Sequence, residues 1–525
     1  MIKNKNTIIL FITLLLASSC SDFLDQDPQS SMTSTQVFSK TENIEPYILG
    51  LYTKWREVHK GRGGIYYGTD EAALGGVQAR DNAERRGLDA YTDMMNSTNS
   101  IVLEEWTNRY TVIAGAAVAI QALKPREGED DEINKLLAEA CFLRAANYFE
   151  LILTWGEVPL IDYDKIDEYG TAKQPLETIF PFIEEDFLTA IKYLPDPADP
   201  GYTDFRRATK PLAQALLGKL YLYVPESSGF RDYTKAKEQF QAVYDNPYYG
   251  GTGASDYENI FDVYQQGTAD YNREMVYAFQ FSNVRGDNSA AQWDMGSRAV
   301  SVMTSVEAIA YFAGFDHLLP TAYCYSDKAD GGIWEEGDVR KDLSIRYDFT
   351  YNGKTPELIG YCYGDELDPH VKKFEDPRTE EKGLNTWHSG KNIPFIRFSD
   401  VVLCYAECLY KTGEQADAIT MINLIVRRRA FGGRITSDQK WSTTMGEQEF
   451  MTNLLEERLR ELCFEGWRKM DLVRTNKVQE YVPTRNKWVQ ESGSVIQDFN
   501  MYWPIPLDEI NKNSDMDVDD QNPGY

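Results

Sequence analysis

Apolar residues that recur every three or four positions over long stretches constrain this chain most. Between Glu105 and Lys124, residues Trp106, Tyr110, Ile113, Ala117 and Ile120 fall at spacings of four, three, four and three, one stripe of a helix. The stretch from Asp131 to Trp155 repeats the pattern with Ile133, Leu137, Ala140, Cys141, Tyr148, Leu151, Ile152 and Trp155. Asp130, Asp131 and Glu132 crowd its start, where the helix dipole favours negative charge, and Gly156 and Pro159 stop it. The same reasoning predicts helices over 176–193, 211–224, 233–244, 399–411, 415–430 and 448–474. Two pairs follow a helix, short loop, helix plan: 212–224 with 233–244, and 401–410 with 416–429 across Thr412-Gly413. Their lengths and small-residue positions resemble tetratricopeptide hairpins, which bury a continuous core by stacking. The expected fold class is therefore mostly α, a tetratricopeptide-like helical-hairpin frame. From about 250 to 394 the periodicity fades and Gly, Asp and Tyr become frequent. This predicts a loop-rich irregular insertion, and long loops on a rigid frame are where recognition usually sits.

The amino terminus carries a different signal. Lys3 and Lys5 precede an apolar run from Thr7 to Ala17, too short to span a bilayer and suited to a signal peptide. Ala17, Ser18 and Ser19 lead into Cys20, an arrangement that resembles a bacterial lipobox, although Leu16 stands four residues before the cysteine where such boxes usually carry Leu at three. Lipid on Cys20 would supply several acyl chains, and two or more give stable anchoring. The polar, acidic stretch that follows reads as a leash. The expected organisation is a signal over 1–19, a lipid-anchored leash over 20–34, a helical part over 35–249, the loop-rich ligand-binding region over 250–394 and a second helical part over 395–525.

A net charge of −28 repels phosphate backbones. Nucleic acid is excluded as a natural partner, and a strongly anionic polysaccharide is disfavoured unless a local basic patch receives it. The aromatic content is high, with 33 Tyr, 24 Phe and 10 Trp; many belong to the core, and so much Tyr and Trp also suits a recognition surface. Cys141, Cys404, Cys408 and Cys463 lie in helical patterns among apolar neighbours and read as small buried hydrophobes. Cys324 and Cys362 lie in loop-rich sequence where an exported chain could oxidise them, and sequence alone does not pair them.

The sequence offers no catalytic motif. Glu457, Glu461 and Glu465 share a helix face, yet Glu456–Arg460 and Glu465–Lys469 spacings, with Arg458 and Arg468 nearby, describe a charge-laced helix. Neighbouring cations keep carboxylates ionised, which does not suit a general acid. His59, His317, His370 and His388 form no metal-binding pattern, and Cys404 and Cys408 lack a second ligand pair for zinc. The spacing of Asp327, Asp330 and Glu335 does not by itself make a calcium site. No cofactor and no metal are expected, and the chain is expected not to be an enzyme.

Several blocks together resemble a known family. These are Cys20-Ser-Asp-Phe-Leu-Asp25 and Glu139-Ala-Cys-Phe-Leu-Arg144 through Tyr148, with Gly156-Glu-Val-Pro159 after it. Later come Arg397 and Asp400 leading to Glu407, then Glu457-Arg-Leu-Arg-Glu461 through Arg468 to Asp471 and Arg474. Trp503-Pro504-Ile-Pro506 and the closing Gln521-Asn522-Pro523-Gly524-Tyr525 complete the set. The chain resembles the SusD/RagB outer-membrane nutrient-binding lipoproteins along nearly its whole length, least so between 250 and 394. The resemblance implies a lipid-anchored protein on the outer face of the outer membrane. It also implies a lid over a SusC-like TonB-dependent transporter, one that binds oligosaccharides for import without cleaving them. A peptide-binding importer subunit of the same family and a secreted glycoside hydrolase are the alternatives.

Sugar recognition needs flat apolar faces for rings and polar groups for hydroxyls. The resemblance places an aromatic arc in the divergent region, so Trp293, Tyr323, Tyr325 and Trp334, beside Asp294, Asp327 and Asp330, are the expected stacking residues. Tyr66, Tyr67 and Tyr91, in the loop-rich stretch between the first two helices, are the second choices.

Overall fold

A computed structural model describes residues 37–38, 40–60, 64–166, 170–303, 310–347, 349–350 and 368–525. The signal, Cys20, the leash and Cys362 lie outside the described residues. The chain divides into two units, one ending at Tyr47 and one running from Ile48 to Tyr525. In the first, Phe38 and Tyr47 meet edge-on at 5.1 Å.

The long helices are α1 (Thr41–Val58), α2 (Ser100–Leu123), α3 (Asp131–Trp155), α4 (Leu176–Tyr193), α5 (Lys210–Tyr223), α6 (Tyr233–Tyr244), α7 (Phe398–Lys411), α8 (Gln415–Ile422) and α9 (Glu447–Leu462). The sequence periodicity places each of α2–α9 within five residues at its start. From α2 to α8 each helix packs on the next, so the array is a continuous stack of hairpins. Local chemistry sets the ends. Asp130 accepts from the Ile133 N–H at 2.8 Å to cap α3, and Gly156 at φ +76 leaves it. The helix begun at α8 runs on through a π turn, Asn423–Arg427, into Arg428–Ala430. No helix among the described residues is long and apolar enough to cross a membrane.

The insertion belongs to the same unit as the frame. Its β1 (Met275–Phe279) pairs antiparallel with β2 (Ile393–Arg397), Met275 opposite Arg397 and Phe279 opposite Ile393, and every residue of both strands is buried. Trp55 of α1 packs against this pair, stacked on Tyr277 at 5.3 Å and edge-on to Phe279 at 4.8 Å and Phe395 at 5.3 Å, and also meets Phe142 of α3. Before and between the strands, short helices such as Tyr257–Phe261, Ala291–Met295 and Ala322–Tyr325 alternate with turns.

The single helix expected over 448–474 is broken. It ends at Leu462 and resumes as α10 (Arg468–Arg474). Phe464 and Gly466 between them take φ +64 and +86. At Gly466 the left-handed backbone favours glycine, and a Cβ there would also have to displace the Ile65 Cδ1, 2.8 Å away. The break redirects Glu465. It bonds Arg397 at 2.7 Å and Lys373 at 2.9 Å rather than the expected Lys469, whose Nζ instead donates to the Tyr91 hydroxyl.

Most of the charge on α9 is also buried: Glu457, Arg458, Arg460 and Glu461 are all out of solvent. Glu461 receives Arg397, Arg429 and Arg340 at 2.9, 3.0 and 3.0 Å, and Glu457 receives Arg340, Arg427 and Arg460 at 2.9, 3.0 and 2.7 Å. Burial alone would raise both carboxyls. The surrounding guanidiniums outweigh it and hold them far below the usual range. Buried ion pairs of the same kind run through other blocks that carry the family resemblance: Glu139 with Arg207, Arg144 with Asp186, Asp400 with Lys219 and Arg458, Glu407 with Arg474. The closing block covers Trp155, whose Nε1 donates to the Pro504 carbonyl while Asn522 donates to the Trp155 carbonyl.

One buried carboxyl behaves differently. Glu71 accepts from the Phe464 N–H at 2.8 Å, and its Oε2 has no partner among the described residues. Burial pushes it up to about 8. The folded state then keeps a proton that the unfolded chain releases near 4.5. Its contribution to stability is complete below that value and is lost as pH rises through about 8. Glu71→Gln is expected to flatten this decline by on the order of 2–4 kcal/mol, read as urea midpoints from pH 5 to 8. An unchanged slope would show that the group ionises freely in the fold.

Cys141, Cys404, Cys408 and Cys463 are buried with free thiols, as expected of small core residues, and Cys324 is buried and free as well.

Candidate ligand-binding site

The loop-rich region presents two aromatic clusters, and the residues expected to stack a ligand divide between them and the core. Trp293 lies on the short helix Ala291–Met295. Its ring stacks on Phe315 at 5.5 Å and meets Trp387 edge-on at 4.9 Å. Backbone bonds from Phe315 to Trp293 at 2.8 Å and from His317 to Asp294 at 2.7 Å fix the two segments together. Trp387, in the turn Thr386–His388, is 42% exposed, an outward aromatic face braced from behind.

The turn is held by Asp376. Its Oδ2 accepts from the Ser389 hydroxyl and the Gly390 N–H, both at 3.0 Å, and Arg378 grips the carboxylate at 2.7 and 2.9 Å. Burial would raise Asp376, and the Arg378 bonds outweigh it and hold the carboxyl below its ordinary value. The loop at 282–290 lies alongside. Ser289 bonds the Ser389 carbonyl at 2.9 Å, Asn283 bonds the His388 carbonyl at 2.9 Å, and Asn288 donates to the Trp387 carbonyl. Arg56 of α1 anchors this loop through Asp287 at 2.6 Å.

In front of Trp387 runs an open groove of about 750 Å³. Lys54 and Lys60 line it from α1 and its exit, Glu104 and Asn108 from α2, Arg85 from the short helix Ala83–Ala90, and Arg285 and Asn288 from the loop. The volume suits an oligosaccharide, and the wall combines one flat apolar face with amide and charged donors.

Tyr323 and Tyr325 line a separate cavity of about 540 Å³ with Asp330, Asp368, Arg485 and Gln490. Their rings are already engaged. The Arg485 guanidinium lies 3.7 Å from the Tyr323 ring centre and 3.8 Å from that of Tyr481, held by Asp70 at 2.9 Å. Lys341 stands 5.0 Å over Tyr325.

Four expected contacts are core residues. Trp334 is 1% exposed, and its Nε1 donates to the Cys324 carbonyl at 2.6 Å, so it plugs the 321–334 loop from inside. Tyr66 and Tyr67 are buried where the chain turns beneath the frame, and burial pushes the Tyr66 hydroxyl up. Tyr91 is buried in the left-handed conformation that ends the helix Ala83–Ala90, its hydroxyl donating to the Gly68 carbonyl at 2.7 Å. Asp327 is paired with Lys341, and Glu335 with Arg427 and Arg460. Trp387 was not among the expected residues. It falls inside the 250–394 region, and the polar, turn-forming Asn385, Ser389 and Gly390 around it are the signal that marks it as a loop-tip aromatic.

Comparison with known proteins agrees with this architecture. The model described as SusD family matches residues 257–525, and the one described as "Starch-binding associating with outer membrane" matches 22–222. The chain belongs to the SusD family. A SusD-like protein, P2, of Formosa agariphila is 26% identical, covering 99% of this chain and 100% of the relative. A SusD homolog from Bacteroides thetaiotaomicron superposes with a TM-score of 0.77 at 22% identity, covering 94% of this chain and 98% of the other. The surface glycan-binding protein A of the same organism, solved in complex with laminarihexaose, gives 0.69 at 18% identity, with 92% and 99% covered.

Proposed function

We propose that this chain is a glycan-capturing subunit of a nutrient importer, anchored by lipid on Cys20 to the outer face of the outer membrane. It holds oligosaccharide on the Trp387–Trp293 platform and passes it to a SusC-like TonB-dependent transporter. The observation that carries the reading is Trp387, exposed at the rim of an open groove and braced by Trp293, in a chain whose fold matches a surface glycan-binding protein solved in complex with laminarihexaose. An exposed indole beside amide donors fits a sugar ring and its hydroxyls. The reading is non-catalytic. Glu457 and Glu461, the carboxylates that a hydrolase reading would choose, are buried among guanidiniums and held ionised.

Affinity electrophoresis against a panel of polysaccharides tests the glycan part; retardation by none, with binding of peptides instead, would overturn it. The anchor is tested separately. Cys20→Ala is expected to move the protein from the membrane to the soluble fraction while the purified domain keeps its glycan affinity within twofold (about 0.4 kcal/mol). Loss of both together would mean that anchor and site are not separable.

A further inference from the structure

The charge at the groove runs against the charge of the chain. The protein carries −28 overall, a field that repels anions. Yet Lys54, Arg85 and Arg285 converge on one groove, and none of the three has an acidic partner within ion-pair distance among the described residues. The acids on the same wall are mostly committed. Glu57 receives Lys60 at 3.0 Å, and Glu105 is buried against Arg109 and the Gly64 N–H. Glu104 stands exposed without a cation, which leaves the cations in excess. Arginines close by but outside the groove are satisfied, Arg56 by Asp287 at 2.6 Å and Arg109 by Glu150 at 3.2 Å. Guanidiniums lining the same groove as an exposed indole, with no carboxylate partner among the described residues, add no ion pair to the fold. They suit a ligand that brings the missing negative charge, because the guanidinium fork matches carboxylate and sulfate alike.

We infer that the groove takes an acidic glycan. Trp387 stacks one sugar ring, Arg85, Arg285 and Lys54 receive the carboxylate or sulfate of the same or the adjoining residue, and Asn108 and Asn288 serve hydroxyls. This rests on the groove being the glycan site proposed above, and names the ligand class.

Matched probes test it: oligogalacturonate against its methyl ester, and carrageenan oligosaccharide against its desulfated form, with laminarihexaose as the neutral reference. The wild-type protein is expected to bind at least one acidic probe about tenfold or more tighter than its neutralised counterpart, and to lose that preference as salt rises. Arg85→Gln and Arg285→Gln, each with an unchanged melting curve, are each expected to weaken the acidic probe about tenfold and its neutralised form by distinctly less, so that the acidic preference shrinks. The first pair reports a carboxylate and the second a sulfate. Equal binding of charged and neutralised probes, or binding of laminarihexaose alone, overturns the acidic assignment and leaves the glycan site standing. Binding of none of the five overturns the glycan site itself.

Discussion

Glu461→Ala is expected to destabilise the protein by about 3–5 kcal/mol, the cost of stranding buried charge. Three guanidiniums, from Arg340, Arg397 and Arg429, converge on that one carboxylate, and all are buried. They come from the helix Arg340–Ser344, from β2 and from Arg428–Ala430. Removing the carboxylate therefore loosens the join between the insertion and α9 as well as one helix face. The neighbouring Glu456 supplies the contrast. It is partly exposed and pairs with Lys328 at 3.0 Å and Arg460 at 3.7 Å. Glu456→Ala should cost under about 1 kcal/mol, as partly solvated pairs do. Urea midpoints of the two variants decide the matter. Similar, small losses in both would mean that the α9 network relaxes around water and does not hold the two regions together.

Trp387→Ala is expected to lower glycan affinity by on the order of 2 kcal/mol, roughly thirtyfold in Kd, with little effect on stability. The ring is exposed and braced on one side, so its removal costs a ligand contact and leaves no buried cavity. Two variants bracket it. Tyr325→Ala, in the separate cavity, should leave affinity within twofold (about 0.4 kcal/mol). Trp334→Ala should cost about 3–5 kcal/mol of stability through the space left in the core. Isothermal titration with whichever glycan retards the wild-type protein reads the outcome. Full affinity in Trp387→Ala, with loss in Tyr325→Ala, would move the site to the cavity lined by Tyr323 and Tyr325.

The sequence by itself determined the helical frame, since a stripe at every third or fourth residue can be buried in only one way. Asp131–Trp155, Leu176–Tyr193 and Tyr233–Tyr244 begin and end where periodicity and capping residues place them. It also marked 250–394 as loop-rich, because the loss of periodicity is itself visible, although most of the groove proposed for the ligand is lined from outside that stretch. Two kinds of fact were decided only by the tertiary structure. The first is the fate of charge. Glu465 and Lys469 have the spacing of a helical pair, but the left-handed turn at Phe464 and Gly466 sends them to partners that lie far away in the chain. The second is which aromatic residues face outward. Trp334 and Trp387 both occur in polar, turn-rich sequence, yet a single bond to the Cys324 carbonyl marks one as core while Trp293 props the other open to solvent. Exposure depends on what packs behind a side chain. In a loop with no repeating period, that neighbour comes from a segment brought there by the fold, and nothing local in the sequence announces it.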